Sequence, residues 1–115
     1  MIRKAAIISI SRFFLTQNEI AIFRKDKPWG VILFKRNIFS EKQLKKLTLS
    51  IRGIMKDKKY PILIDEEGSR VTRLSNFFDN SVFSQKYIGN IYSKDKKIGL
   101  NLYKNYINSI SIHLQ

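Results

Sequence analysis

Apolar residues fall along this chain in short, nearly unbroken runs that alternate with stretches of helical spacing. Residues 5–10, Ala-Ala-Ile-Ile-Ser-Ile, form the first run, the pattern of a strand buried on both faces. Thr16-Gln17-Asn18-Glu19 then has the spacing of a capping box, with Leu15 and Ile20 placed as its hydrophobic staple. A short helix is predicted from there to Arg24 or Lys25. Pro28-Trp29-Gly30 punctuates, and Val31-Ile32-Leu33-Phe34 reads as a second buried strand.

The device recurs. Ser40-Glu41-Lys42-Gln43 is a second capping box, flanked by a Phe39/Leu44 staple. Leu44, Leu47, Ile51, Ile54 and Met55 follow at helical spacing and make one apolar stripe. Pro61-Ile62-Leu63-Ile64-Asp65 is a third strand. An acidic turn and a long irregular stretch over 75–90 come next. A final helix starts near Lys94, with Ile98, Leu102, Tyr106 and Ile110 on one face.

Strands that alternate with helices at this interval predict an α/β chain with a parallel sheet. Three strands leave both sheet edges unpaired, a liability in a free-standing domain. The pattern therefore reads as the opening of something larger. A barrel of eight β/α units takes about 250 residues, and this chain would supply the first three.

Composition narrows the function classes. With 43% hydrophobic and 12% aromatic residues in 115, the chain can build a core. No apolar run approaches the roughly 20 residues a membrane span needs, so no membrane partner is expected and a cytoplasmic location fits. The absence of cysteine excludes disulfides and thiolate chemistry, and the lone His113 cannot build a multi-histidine metal centre. Neither a metal nor an organic cofactor is expected. His113 itself reads as a tail or helix-end residue.

The charge of +13, from 22 Lys and Arg against 9 Asp and Glu, raises a nucleic-acid partner. The lysines are scattered, however, and no nucleic-acid module is legible among them. Lysines on solvated helix faces explain the charge more simply, so a nucleic-acid partner is not expected despite the basic charge. A small basic nucleic-acid-binding domain and a non-functional remnant both stay open as alternatives.

Three of the nine acidic residues lie together, Asp65-Glu66-Glu67, where the third strand ends, followed by Gly68-Ser69-Arg70-Val71-Thr72-Arg73. The carboxyl ends of strands carry the sites of α/β sheets and barrels. Alternation places Asp65 on the face of Leu63, opposite Ile62 and Ile64. There its carboxylate can accept from two hydroxyls of a polar ligand, and Arg73 can reach over as a forked donor. A surface turn in which Glu66 and Glu67 pair with Arg70 and Arg73 would produce the same residues.

The string at 61–74, Pro-Ile-Leu-Ile-Asp-Glu-Glu-Gly-Ser-Arg-Val-Thr-Arg-Leu, resembles the signature of family 3 glycoside hydrolases, most of all the bacterial cytoplasmic β-N-acetylhexosaminidases of peptidoglycan recycling. The segment 28–37, with its Leu33-Phe34-Lys35-Arg36-Asn37 ending, is similar to the second strand of that family. The helix opening Gln43-Leu44 and the Leu15-Thr16 pair also fit. The resemblance runs over about 5–74, in a domain reading that takes 1–115 as the N-terminal part of the barrel.

The resemblance implies the first three units of a (β/α)₈ barrel and, for the full-length enzyme, retaining hydrolysis of terminal β-N-acetylglucosamine from muropeptide-like substrates. Asp65 matches the family's sugar-binding aspartate and Arg73 a second substrate contact. Glu67, Gly68 and Arg70 match positions that shape the turn. Glu66 stands where glutamine is usual, and Ser69 where a second glycine is usual. The family's aspartate nucleophile, its loop histidine acid/base and a Lys-His substrate pair lie in later units. No catalytic residue is therefore expected in this chain, which would be inactive alone, with a complementing chain as a conceivable partner.

Overall fold

The computed structural model describes residues 2–114. The chain divides into two compact units, Met1–Asp65 and Glu66–Gln115.

The first unit alternates strand and helix: β1 (Lys4–Ser9), α1 (Gln17–Asp26), β2 (Pro28–Leu33), a single 3₁₀ turn (Lys35–Asn37), α2 (Glu41–Met55) and β3 (Ile62–Ile64). The sheet order is β1-β2-β3 with both pairings parallel, so α/β with a parallel sheet is the architecture. Strands follow their order in the chain with no reversal.

The β2–β3 register sets Ile32 beside Leu63 and Val31 beside Ile62. Val31 and Leu33 are buried, together with Phe23 of α1 and Leu44, Leu47, Ile51 and Met55 of α2. The ring of Phe23 meets that of Tyr60 edge-on, and the Tyr60 hydroxyl donates to the Pro28 carbonyl at 2.9 Å. Burial pushes the Tyr60 hydroxyl pKa up, against the opposing pull of the Arg3 guanidinium. β1 differs from the expectation of a strand buried on both faces. Among the described residues it has one hydrogen-bonded neighbour, β2, and most of its residues are exposed, Ile7 among them.

Local chemistry explains the helix starts. Thr16 caps α1 in a complete box, its hydroxyl accepting from the Glu19 N–H while the Glu19 carboxylate accepts from the Thr16 N–H. The other Glu19 oxygen takes the N–H and hydroxyl of Ser11, tying the exit of β1 to α1. Burial would raise the Glu19 pKa, but these hydrogen bonds outweigh it and hold the carboxyl below its usual range.

At α2 only half of the predicted box forms. Ser40 accepts from the Gln43 N–H, but the Gln43 oxygen takes the N–H of Phe39 instead of Ser40. The Gln43 amide nitrogen is committed to the carbonyls of Phe13 and Asn37, which turns its oxygen toward Phe39. The Phe39/Leu44 staple gives way too: Leu44 is buried, whereas Phe39 is exposed and meets the ring of Phe13. Trp29, near the start of β2, is 47% exposed.

The second unit opens with an irregular segment and closes with two helices, α3 (Gln85–Lys94) and α4 (Lys96–Leu114). The stretch predicted as irregular through residue 90 thus contains the start of α3. Ser84 caps it, accepting from the Tyr87 N–H, and Ile88 is its buried residue. The two helices approach at Gly99, where a Cβ would lie 2.5 Å from the Cα of Tyr92. Tyr106 and Ile110 are buried as predicted, but Ile98 is exposed and Gly99 takes the buried position. Residues four apart drift 40° per step round a helix, so Ile98 rotates off a face centred on Tyr106. Among the described residues, no helix is long and apolar enough to cross a membrane.

Candidate functional site

Parallel pairing brings the carboxyl ends of all three strands to one edge of the first unit. Asn37 organises that edge. It is fully buried; its side-chain nitrogen donates to the carbonyls of Ile10 and Arg12 beyond β1, and its oxygen accepts from the Phe34 N–H beyond β2. One amide therefore satisfies three backbone groups that the strands leave unpaired as they end. Arg36 adds a bond from its Nε to the Ile10 carbonyl, with its guanidinium over the Phe34 ring. Asp65 follows β3 directly at this edge and is half-buried.

Glu67, Gly68, Arg70 and Arg73 lie in the second unit, in a turn closed by bonds from the Glu67 N–H to the Val71 carbonyl and from the Val71 N–H to the Gly68 carbonyl. Gly68 sits at φ +77° and Ser69 at φ +55°, so two consecutive residues are left-handed. A Cβ on Gly68 would stand 2.3 Å from the Phe83 carbonyl oxygen and 2.8 Å from the Tyr106 hydroxyl. Only glycine fits there, for space as well as for φ. Ser69, where a second glycine had been expected, adopts the left-handed conformation despite its side chain. Its N–H is held by the Asn80 carbonyl at 3.3 Å.

The residue that fixes this turn is Glu66, which the sequence offers only as an ion-pair partner for Arg70 or Arg73. One of its oxygens accepts from the backbone N–H groups of Arg73 (2.7 Å) and Leu74 (3.1 Å), and the other from the side chain of buried Asn80 (2.8 Å). Asn80 also donates to the Tyr106 hydroxyl at 3.1 Å. The Tyr106 pKa is pushed up, first by burial and further by the Glu66 charge, with the Asn80 bond opposing. The Glu66 carboxylate is thus spent on positioning the backbone of Arg73. Glu67 and Arg70 are exposed, and Glu67 takes part in the turn through its backbone N–H.

Asp65 ends the first unit and Arg73 belongs to the second, so the structure places each of the two predicted sugar contacts within its own unit. His113 is half-buried near the end of α4, with the rings of Phe77 and Phe78 beside it, a packing role. Among the described residues, no three His, Asp or Glu side chains come together as a metal site. The second unit holds a cavity of about 420 Å³ between α3 and α4, lined by Glu66, Glu67, Ile88, Tyr92, Tyr103 and Tyr106 among others.

Asn37 and Glu66 are the positioning residues that sequence reasoning did not single out. Both were visible as letters, Asn37 in the Arg36-Asn37 ending and Glu66 beside Asp65. Nothing in spacing alone marks an amide or carboxylate that will bond distant backbone.

No family model matches the chain. It is 32% identical over 100 residues to a beta-hexosaminidase of Chromobacterium violaceum, an alignment covering 87% of this chain and 28% of that protein. Among solved structures it is similar to NagZ from Neisseria gonorrhoeae in complex with N-trifluoroacetyl-D-glucosamine, with a TM-score of 0.70 and 32% identity over 81% of this chain and 27% of the other. A glycoside hydrolase family 3 beta-N-acetylglucosaminidase from Paenibacillus is also similar, with a TM-score of 0.59 and 26% identity over 64% of this chain and 15% of the other. The chain thus spans about a quarter of the length of the curated relatives it matches.

Proposed function

We propose that this chain, a relative of the N-terminal domain of the family 3 glycoside hydrolases, forms the first three units of a (β/α)₈ barrel that hydrolyses terminal β-N-acetylglucosamine from muropeptide-like substrates with retention. The observation that carries the reading is a sheet of three consecutive parallel strands, in chain order, with Asp65 directly at the carboxyl end of the third. Three parallel strands in chain order are what the opening of a closing barrel supplies, and the carboxyl end of the strands is where such a barrel carries its site. The likeness to a NagZ complex with a glucosamine derivative supports the substrate class.

In this reading Asp65 accepts from two sugar hydroxyls, and the Arg73 guanidinium is a second substrate contact that donates as a planar fork. Glu66 holds the backbone of Arg73, so that contact starts from fixed scaffolding, and Asn37 holds the ends of the first two strands. Glu67, Gly68 and Arg70 shape the turn between the two sugar contacts. A cytoplasmic location and a carbohydrate ligand belong to the same proposal, and a complementing chain would be a further partner. None of the 115 residues is assigned nucleophile or acid/base.

An assay of the chain with an aryl β-N-acetylglucosaminide tests this division of labour. No turnover is expected from the chain alone. Sustained hydrolysis abolished by Asp65→Ala would place catalytic groups within these residues and overturn it. Nucleic-acid binding that falls steeply with salt and ignores Asp65 would favour the basic-domain alternative.

A further inference from the structure

The first unit carries most of the chain's charge of +13, and part of it converges on one groove far from Asp65 in the fold. Where α1 and α2 end, Phe23, Arg24, Lys27, Ile54, Met55 and Lys56 line a cavity of about 300 Å³. This groove adjoins the start of β2, whereas Asp65 follows the end of β3, so the two lie at opposite ends of the parallel strands. Its floor is apolar, with Phe23 and Met55 buried, and its three polar lining residues are all cations.

Two of those cations are held in a costly conformation. Lys27 and Lys56 are the C-caps of α1 and α2, both left-handed at φ 47° and φ 51°. Glycine is the residue that takes this position without strain. A lysine there offsets the negative end of a helix dipole, but that effect does not call for both side chains to line one cavity.

The neighbouring carboxylates do not neutralise the groove. Asp26, beside Lys27, is engaged by Lys4, and Asp57, beside Lys56, is engaged by Arg3. Both acids are held below their usual pKa, first by those side-chain hydrogen bonds. Among the described residues, the side chains of Arg24, Lys27 and Lys56 have no hydrogen-bond or ion-pair partner.

We propose that this groove is a binding site for a small phosphate monoester carrying an apolar body, with Arg24, Lys27 and Lys56 on the phosphate and Phe23, Ile54 and Met55 under the body. A phosphate monoester carries close to two negative charges and three acceptor oxygens at neutral pH. That matches a guanidinium fork and two ammonium groups better than a singly charged carboxylate does. The cavity is at the small end of the range for such ligands.

Isothermal titration of the full chain with phenyl phosphate tests this, using Lys27→Gly and Lys56→Gly singly and together. Glycine keeps the left-handed caps while removing each lysine side chain with its ammonium group, so the variants are expected to fold. The expected result is saturable binding, weakened by salt and weakened at least about tenfold in the double variant. Phenol and inorganic phosphate should each bind less tightly than phenyl phosphate. Binding unchanged by both glycines, phenyl phosphate no tighter than inorganic phosphate, or no saturable binding at all would overturn the proposal. So would a preference for a single-stranded oligonucleotide that survives the double variant and is lost when Lys42, Lys45 and Lys46 of α2 are replaced.

Discussion

Glu66 and Asn80 are joined by a 2.8 Å hydrogen bond from the asparagine side chain to the carboxylate, and this pair fixes the turn that carries Arg73. The other Glu66 oxygen holds two successive backbone N–H groups, so removing the carboxylate strands three donors at once. Glu66→Ala is expected to destabilise the second unit by about 1.5–3 kcal/mol, the range for a hydrogen bond to a charged group. Glu66→Gln should cost less than half of that. Rotation of the Asn80 amide would offer its oxygen, which has no partner in the structure, to the new Gln N–H. Urea denaturation of both variants checks the ranking.

Gly68 and Ser69 share left-handed backbone yet should respond in opposite directions. Gly68→Ala places a methyl 2.3 Å from the Phe83 carbonyl oxygen and is expected to cost more than the roughly 1–2 kcal/mol of left-handed backbone strain alone. Ser69→Gly relieves strain at φ +55° and should be neutral or stabilising by up to about 1 kcal/mol. Thermal melts of the two variants side by side test the opposition.

Asn37 uses two donors and one acceptor on backbone groups in a fully buried position. Asn37→Ala should destabilise the first unit by about 3 kcal/mol, the cost of stranding several buried polar groups. Asn37→Asp is the harsher change despite its matching shape. It aims a carboxylate oxygen at the Ile10 and Arg12 carbonyls, and equilibrium unfolding near neutral pH should find it less stable than the alanine variant.

The Thr16–Glu19 box gives the first unit an acid-sensitive component. Glu19 is held below its unfolded value of 4.5, so its contribution is present above that pH and is lost as pH falls through the lower folded value. Denaturation midpoints followed downward from pH 5 should decline more steeply in the parent than in Glu19→Gln, which has no such titration. Thr16→Ala should cost about 1 kcal/mol at neutral pH.

Much of the first unit was legible because its signals are local. Thr16 and Glu19 are three residues apart, Leu44 to Met55 repeat at helical spacing, and each strand is a compact apolar run. What failed depends on partners that spacing does not reveal. Gln43 left its box because Phe13 and Asn37 compete for its amide. β1 looked buried by composition, but burial depends on how many neighbours a strand acquires. α3 escaped notice because Gly89 and Asn90 interrupt a short helix of modest apolar content, although Ser84 and Ile88 were its cap and anchor. In the turn, Asp65 and Arg73 stood out by chemistry. Glu66, the residue that holds the loop, looked like part of a charge run.

The central claim is that Asp65 begins a sugar subsite at the carboxyl end of β3. Ligand-detected NMR titration of N-acetylglucosamine into the chain, alongside Asp65→Asn and Arg73→Ala, tests it most directly. The account predicts weak, saturable binding that is lost in the Asp65 variant and reduced in the Arg73 variant. Binding of equal strength in all three proteins, or none in the parent, would contradict it.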